Sequence, residues 1–256
     1  MENNNKFMNS ENLNKPNDEL NKVIEEYSTS ININEPIKNT SFQIKISSSE
    51  PVKKKPYTIF HKIASELKDH IDELLSKNII KRFDSSYAFP WFVKRKPDGR
   101  LRLLIDYRKL NYITIDDAYP FPSTKELVRD LSGAKIFSQL DMEKGYYQIK
   151  IDSNDTYMTS FVLPNGLYEF TRMPFGLKNT PRIFQRVMQQ ILNGLDFVKV
   201  YLDYILIHSE NINNHIQHCK IVLERLKNHN VKINFDKINL SNMKLNTSGL
   251  LFLIKE

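Results

Sequence analysis

The segment that most constrains the fold is Val198–His208, VKVYLDYILIH, where β-branched, aromatic and aliphatic residues flank a single carboxylate. Such a run predicts two short strands. A tight turn at Asp203 and Tyr204 would then place the Asp203 carboxylate at the tip of a β-hairpin. An acid at that tip serves either as a turn residue or as a metal ligand.

Length and composition predict a folded protein rather than a membrane or disulfide-rich one. The 256 residues are 40% hydrophobic, enough for a sizeable core. No apolar run approaches the roughly 18 to 20 residues of a membrane helix, and Met1–Ser10 is polar. Cys219 is the one cysteine, which excludes an intramolecular disulfide. We therefore expect an intracellular location, cytoplasmic or nuclear, and no membrane partner.

Charge and composition separate the first 50 residues from the remainder. Residues 1–50 hold 5 Lys and Arg against 8 Asp and Glu, whereas residues 51–256 hold 32 against 22. A basic body suits a nucleic-acid partner, although basic surfaces also serve solubility. Residues 1–50 are rich in Asn, Ser, Lys and Glu with few large apolar residues, which predicts a disordered leader.

Hydrophobic periodicity and turn signals predict helices that alternate with β-hairpins, which is an α+β pattern. The predicted helices are His61–Asn78, Ser123–Leu131, Thr180–Leu192 and Ile212–Lys227. The predicted strands are Ala88–Lys96, Arg100–Asp106, Ala134–Leu140, Phe161–Leu163 and Leu167–Phe170.

Two groups of polar residues admit both a structural and a functional interpretation. The first hairpin carries Lys94, Arg95, Lys96, Arg100 and Arg102. Composition favours a charged, solvated edge hairpin over a phosphate-binding one. His215, His218 and Cys219 could suggest zinc, but no second Cys or His pair lies at ligand spacing, so we predict helix-surface residues.

Six segments in a fixed order carry a resemblance to a known family. They are Leu67–Ile80, Arg102–Asn111 (RLLIDYRKLN), Tyr119–Pro122 (YPFP), Phe137–Ile149 (FSQLDMEKGYYQI), Tyr168–Gln185 (YEFTRMPFGLKNTPRIFQ) and Val200–Ser209. From Pro56 onward the chain thereby resembles the reverse transcriptase of long-terminal-repeat retrotransposons, most closely the Ty3/gypsy type.

The resemblance implies the fingers and palm of a right-hand polymerase, with an antiparallel palm sheet packed on helices. It implies a reverse transcriptase domain over residues 51–256, as a fragment of a polyprotein. The fingers would span about 56–120 and 150–172, and the palm about 121–149 and 173–256. We expect thumb, ribonuclease H and integrase segments to be absent.

The resemblance also assigns a catalytic site for an RNA-directed DNA polymerase, a nucleotidyltransferase. Asp141 matches the first catalytic Asp of the family, and Asp203 matches the first Asp of its Tyr-x-Asp-Asp motif. In the intact family these carboxylates hold two Mg²⁺ ions, which fits the two-cation requirement of nucleotidyl transfer. The implied partners are a primer–template of RNA and DNA and deoxynucleoside triphosphates.

Other matched positions are implied to bind the incoming nucleotide. A guanidinium binds phosphate oxygens well, which favours Arg102 on the basic hairpin. Tyr146 matches the aromatic residue beneath the sugar that screens out a 2′-hydroxyl. The implied nucleotide-binding set is Arg95, Lys96, Arg102, Tyr146, Phe175 and Gly176.

The chain departs from the family pattern at Tyr204, where the motif has its second Asp. A phenol, with an ordinary pKa of about 10, is neutral at pH 7 and is a poor ligand for Mg²⁺. Arg182 also replaces a small residue, and Lys237-Ile238 and Thr247–Leu250 differ from the family's primer-gripping segment. We therefore predict negligible polymerase activity. The alternatives are a noncatalytic nucleic-acid-binding protein and a functionless relic of an element.

Overall fold

The structure is a computed structural model that describes residues 11–32, 34–53, 61–95, 99, 101–129, 131, 133–234 and 239–241. Helices α1 to α6 in these residues are Glu11–Ser30, His61–Ser76, Arg108–Ile113, Thr124–Arg129, Thr180–Ile191 and Ile212–Asn228. Strands β1 to β11 are Ser41–Phe42, Ile80–Arg82, Trp91–Arg95, Leu101–Ile105, Ile136–Asp141, Lys150–Ile151, Phe161–Leu163, Gly166–Phe170, Val198–Tyr201, Tyr204–Ser209 and Asn239–Ser241. The predicted α+β class is confirmed.

The chain divides into two compact units. Unit 1 comprises residues 1–32, 121–143 and 188–256, and unit 2 comprises residues 33–120 and 144–187. One division, between Pro120 and Phe121, coincides with the predicted boundary between fingers and palm. The full assignment of fingers and palm stays a prediction.

Unit 1 is built on an antiparallel sheet of order β11-β5-β10-β9. Helix α6 packs against β10 and β5, and α1 packs on α6. The two central strands contribute Leu140, Ile205 and Ile207 to the core, each at most 3% exposed. Alternating apolar residues on β10 therefore anchor this sheet to the helices.

Unit 2 contains small separate sheets. Strands β3 and β4 form the predicted basic hairpin, and β2, β8 and β7 form a three-stranded antiparallel sheet. Helix α2 buries Leu67, Ile71 and Leu74 at the predicted three- and four-residue spacing. The turn residues 96–98 and Arg100 lie outside the described residues.

The predicted disordered leader is wrong for the described part of residues 1–50. Helix α1 forms there, and Tyr27 is 3% exposed with its hydroxyl donating to the Val231 carbonyl. In unit 2, Ile37 and Phe42 are buried, and β1 pairs in parallel with β6. The few apolar residues of this segment are enough for it to fold, because they pack into hydrophobic cores formed mainly by the remainder of the chain.

Two further predictions need correction. The hairpin turn is Leu202–Asp203, and Tyr204 opens β10, so the turn lies one residue earlier than predicted. His215 and Cys219 are 2% exposed rather than on the helix surface, whereas Ile221 is 41% exposed. The buried face of α6 runs through positions 215, 219, 222 and 226, so these two polar residues fall on its apolar stripe.

No helix in the described part of the chain combines the length and apolar character needed to cross a bilayer.

The hydroxyl of Tyr27 provides a test of whether the amino-terminal helix belongs to the folded core. Tyr27→Phe removes the donor to the buried Val231 carbonyl, so we expect the free energy of unfolding to fall by about 1 kcal/mol. Urea denaturation measures this change. Tyr112→Phe is the matched control, because Tyr112 is 90% exposed and should leave stability unchanged. Equal stability of the two variants would contradict the placement of α1.

Candidate active site

The candidate catalytic hairpin consists of β9, a two-residue turn and β10. Tyr201 pairs with Tyr204, leaving Leu202 and Asp203 as the turn. Leu202 has a φ of +53°, in the left-handed region that costs an ordinary L-residue roughly 1 kcal/mol or more. The ladders on either side of the turn hold this conformation, as is typical of strained residues at functional sites.

Backbone pairing brings Asp141 beside this turn. Strand β5 ends at Asp141, which lies opposite Tyr204 in the antiparallel ladder. The Met142 amide continues the contact by donating to the Asp203 carbonyl at 3.0 Å. The Asn234 amide donates to the Asp141 carbonyl at 2.7 Å from the other side. Two predicted ligand residues, distant in sequence, therefore adjoin at one end of the unit 1 sheet.

Tyr204 occupies the ladder position directly facing Asp141. Residues opposite each other in an antiparallel pair point to the same face, so the phenol stands next to the buried Asp141 side chain. Within the described residues, no group of three or more Asp, Glu, His or Cys side chains could hold a metal ion.

Most predicted nucleotide-binding residues come together in unit 2. The Tyr146 and Phe175 ring centroids are 4.9 Å apart, and the Arg102 guanidinium lies 5.8 Å from the Phe175 centroid. Gly176 has a φ of +94°, and its carbonyl accepts from the Asn111 side-chain amide at 2.8 Å. A basic side chain therefore lies over an aromatic floor, an arrangement suited to a nucleotide with its phosphates.

Glycine is required where the Tyr146 segment approaches α5. A Cβ added at Gly145 would lie 2.9 Å from Phe184 Cζ, too close for ordinary contact. Phe184 in turn packs edge-on against Tyr146 at 5.4 Å between centroids. Gly145 thus lets the aromatic floor form at this depth.

Arg95 is not part of this aromatic cluster. Its guanidinium donates to both carboxylate oxygens of Glu66, at 2.8 and 2.9 Å, and to the Gly99 carbonyl at 2.9 Å. Arg95 holds the pKa of the Glu66 carboxyl below its usual value, mainly through its hydrogen bond and also through its positive charge. Lys96 lies outside the described residues.

Arg182 has a defined structural partner despite its departure from the family pattern. Its guanidinium donates to the Asp117 carbonyl at 2.9 Å, while Arg186 donates to both Asp117 carboxylate oxygens at 3.0 and 2.8 Å. Asn179 completes the contact by accepting from the Asp117 amide at 3.1 Å. Three side chains around the start of α5 therefore fix the loop that precedes the YPFP segment.

The sequence profile of the family described as "Reverse transcriptase (RNA-dependent DNA polymerase)" matches residues 94–252, which include Asp141 and Asp203. The chain belongs to the reverse transcriptase family. The predicted Ty3/gypsy type is supported by relatives from Drosophila melanogaster. The chain is 36% identical over 208 residues to the retrovirus-related Pol polyprotein from transposon 297, covering 78% of this chain and 20% of that protein. Identity to the corresponding polyprotein from transposon gypsy is 36% over 202 residues, covering 76% and 20%.

Two further comparisons concern a viral polyprotein by sequence and a solved structure by fold. The enzymatic polyprotein of cauliflower mosaic virus (strain CM-1841) is 35% identical over 213 residues, covering 81% of this chain and 31% of that protein. The foamy viral protease-reverse transcriptase in complex with RNA/DNA hybrid superposes with a TM-score of 0.81 at 22% identity, covering 91% and 32%. The chain thus spans about a fifth to a third of the length of these proteins.

A buried polar network underlies the strands that carry the two acids of the reverse transcriptase domain. His215 Nε2 lies 2.7 Å from Ser138 Oγ on β5, and His215 Nδ1 lies 2.9 Å from Ser209 Oγ on β10. Ser209 Oγ also lies 2.8 Å from His218 Nδ1. The sequence interpretation missed this network. The spacing of positions 215, 219 and 222 places them on one face of α6 with buried apolar residues, which would have indicated that His215 is buried.

Burial determines the charge state of His215. Desolvation lowers the pKa of the imidazole to about 4, and His218 and His208 add to the effect. Burial likewise raises the pKa of the Cys219 thiol to about 12, so this cysteine is unreactive. Neutral His215 therefore bridges β5 and β10 at physiological pH.

The lowered pKa of His215 predicts acid sensitivity. Between pH 6.5 and 4 the histidine is protonated in the unfolded state, where its pKa is about 6.5, but stays neutral in the folded state. The free energy of unfolding is therefore highest above pH 6.5 and falls as the pH drops towards 4. A shift of this size corresponds to about 3 kcal/mol. Urea unfolding at several pH values measures the loss. His215→Gln should be less stable at pH 7 but lack this part of the pH dependence; an unchanged pH dependence would refute the assignment.

Proposed function

We propose that this chain is a retrotransposon-derived reverse transcriptase domain that binds primer–template nucleic acid but does not extend a primer. The observation that carries the proposal is Tyr204, which faces Asp141 across the ladder where the family motif has a carboxylate. Family membership supplies the reaction class, RNA-directed DNA synthesis. Tyr204 supplies the reason for lost catalysis.

The chemistry explains why one substitution has a large effect. Nucleotidyl transfer uses two cations, one at the attacking primer hydroxyl and one at the triphosphate. Asp141 and Asp203 supply carboxylates on adjoining backbones, as a shared cation requires. A neutral phenol cannot neutralise a second divalent cation, so these residues do not fit the two-ion set. Loss of even a supporting partner commonly costs 10 to 100-fold in metal affinity.

Nucleic-acid binding has separate support from a basic and aromatic surface of unit 2. Arg108 and Lys109 are exposed at the start of α3, and Tyr112 on the same helix is 90% exposed. Asp106 accepts from Arg108 Nε and Nη2 at 2.8 and 2.7 Å, which orients the guanidinium. These residues and Lys53 line a cavity of about 750 Å³.

This combination suits a nucleic-acid strand. Cations follow the phosphate backbone, while an exposed aromatic ring can stack on a base with little sequence preference. Two solved relatives by fold are described as complexes with RNA/DNA hybrid and with double-stranded DNA. We expect the same class of ligand here, with deoxynucleoside triphosphates as the second ligand class.

The primary test is primer extension by the full chain on a primed RNA template with Mg²⁺ and four deoxynucleoside triphosphates. We expect no extension above a sample without protein. Metal binding provides a second measurement: Tyr204→Asp should bind Mn²⁺ at least about 10-fold more tightly, because a carboxylate joins the two already present. Adding Asp203→Asn should remove that gain. Extension by the unaltered chain that Asp141→Asn abolishes would refute the proposed loss of catalysis.

Salt dependence tests nucleic-acid binding independently of catalysis. The affinity for primer–template should fall linearly with salt on a double-logarithmic plot. Combined Arg108→Gln and Lys109→Gln should weaken binding several-fold and reduce the slope by about 1 to 2, since each phosphate contact contributes about 0.7 to 0.9. Combined Lys38→Gln and Lys227→Gln removes the same charge from other exposed positions as a control. Equal slopes for both double variants would contradict this surface.

A further inference from the structure

Lys144 lies between Asp141 and Tyr146 in the sequence but belongs to neither the predicted catalytic nor the predicted nucleotide-binding set. It precedes Gly145 and Tyr146 directly, and it has a φ of +48°, in the left-handed region. Its carbonyl accepts from the Tyr147 amide at 2.9 Å, which closes the turn that presents both tyrosines. Its side chain is 43% exposed. A cation is therefore held at the surface of a constrained turn.

The Lys144 ammonium forms an ion pair with a carboxylate of α2. Lys144 Nζ lies 3.0 Å from Glu73 Oε1, and Lys77 Nζ lies 2.7 Å from the same oxygen. These contacts lower the pKa of Glu73 to about 2, with the hydrogen bond from Lys77 as the largest cause. Glu73 is therefore fully ionised at neutral pH. One carboxylate shared by two ammonium groups leaves a net positive charge at this position.

Helix α2 repeats this arrangement two turns earlier. Glu66 lies seven positions before Glu73, on the same face of the helix, and it binds Arg95 through both carboxylate oxygens. Arg95 is one of the nucleotide-binding residues predicted from the family. Two carboxylates of α2 thus form ion pairs with cations from other elements, Glu66 with Arg95 on the basic hairpin and Glu73 with Lys144 beside Tyr146.

Lys144 and Arg102 belong to the same part of unit 2. The Tyr147 ring packs edge-on against Phe175 at 5.4 Å, and Arg102 lies over that Phe175 ring. Desolvation raises the pKa of the partly buried Tyr147 phenol, while the charge of Arg102 lowers it and that of Glu73 raises it. The turn that carries Lys144 therefore continues from the aromatic floor beneath Arg102.

We propose that Lys144 binds the triphosphate of a deoxynucleoside triphosphate, and that Glu73 holds the Lys144 ammonium in a resting position until the triphosphate replaces it. This inference rests on the proposed function, because that function makes a nucleotide a ligand of unit 2. It gives roles to a lysine and a carboxylate to which the family resemblance assigns none.

The exchange is physically inexpensive. A partly exposed ion pair contributes little to stability. Breaking the pair between Lys144 and Glu73 therefore costs little free energy. A triphosphate offers several anionic oxygens, and a lysine ammonium on its flexible stem can turn towards them. The alternative is a purely structural role, in which Glu73 fixes the turn and its loss disorders the binding site. The two roles predict opposite effects of removing the Glu73 charge.

The test is calorimetric titration of the full chain with dATP and, separately, with inorganic tripolyphosphate. Lys144→Gln should weaken both ligands by about 5 to 10-fold, because a charge-assisted contact is lost. Glu73→Gln should tighten both by about 2 to 5-fold, since the competing carboxylate is gone. Lys178→Gln is the matched control, because Lys178 pairs with Asp116 at 2.9 Å elsewhere in unit 2. It should change affinity by less than about 2-fold.

Three outcomes would overturn the inference: wild-type affinity in Lys144→Gln, weaker binding in Glu73→Gln, or no binding of either ligand by the unaltered chain. Lys144→Arg keeps the charge and should bind within about 2-fold of the wild type; it reports on the site if Lys144→Gln does not fold.

Primer–template binding is measured on the same samples without nucleotide. Its absence beside normal tripolyphosphate binding would refute the proposed function and leave this inference standing.

Discussion

The antiparallel pairing of β5 with β10 is the constraint on which the candidate catalytic site depends. It brings Asp141 opposite Tyr204 and the Met142 amide to the Asp203 carbonyl. Because the side-chain period of a strand is two, a shift of one residue would turn these side chains to opposite faces. His215 stabilises this register by bonding Ser138 on one strand and Ser209 on the other. The candidate site is thus held in place by side chains that are themselves buried.

Acidic partners hold many of the cations in unit 2. Glu66 binds Arg95, Glu73 binds Lys77 and Lys144, and Asp106 binds Arg108. Such pairs keep long basic side chains ordered at a small free-energy cost, since exposed ion pairs are weak. A polyanion that arrives with many phosphates can replace these single carboxylates. The proposed function therefore requires exchange of these carboxylate partners for phosphates.

Local sequence patterns predicted elements whose signals are local, and failed where burial came from distant segments. The Ser123 and Glu126 capping box and the apolar stripe of α2 formed as predicted, because each needs only near neighbours. The predicted hairpin of β7 and β8 also formed, but its turn is Pro164–Asn165, and Gly166 already pairs with Leu163 as the first residue of β8. Residues 1–50 looked too polar to fold, yet Tyr27 and Ile37 are buried by segments far along the chain. The partner of Arg182 was equally invisible, because Asp117 lies 65 positions away.

The same reasoning applies to the site. The family motifs predicted roles for Asp141 and Asp203 and for the aromatic residues Tyr146 and Phe175, since those residue types match known positions. No motif could indicate that Arg95 turns to Glu66, because a bidentate ion pair depends on where α2 packs. The turn at Leu202 was misplaced by one residue because Leu rarely adopts positive φ, so the sequence carried no sign of it.

The contact between Tyr27 and Val231 has a consequence for synthesis on the ribosome. The two residues are 204 positions apart, and unit 1 is assembled from three separate stretches of chain. During translation α1 emerges before both units are complete, whereas its docking partner α6 emerges only after the last segment of unit 2. The apolar side of α1 must therefore stay soluble, or be shielded by a chaperone, for most of the translation time. Such a high contact order favours slow completion of unit 1 after a faster unit 2.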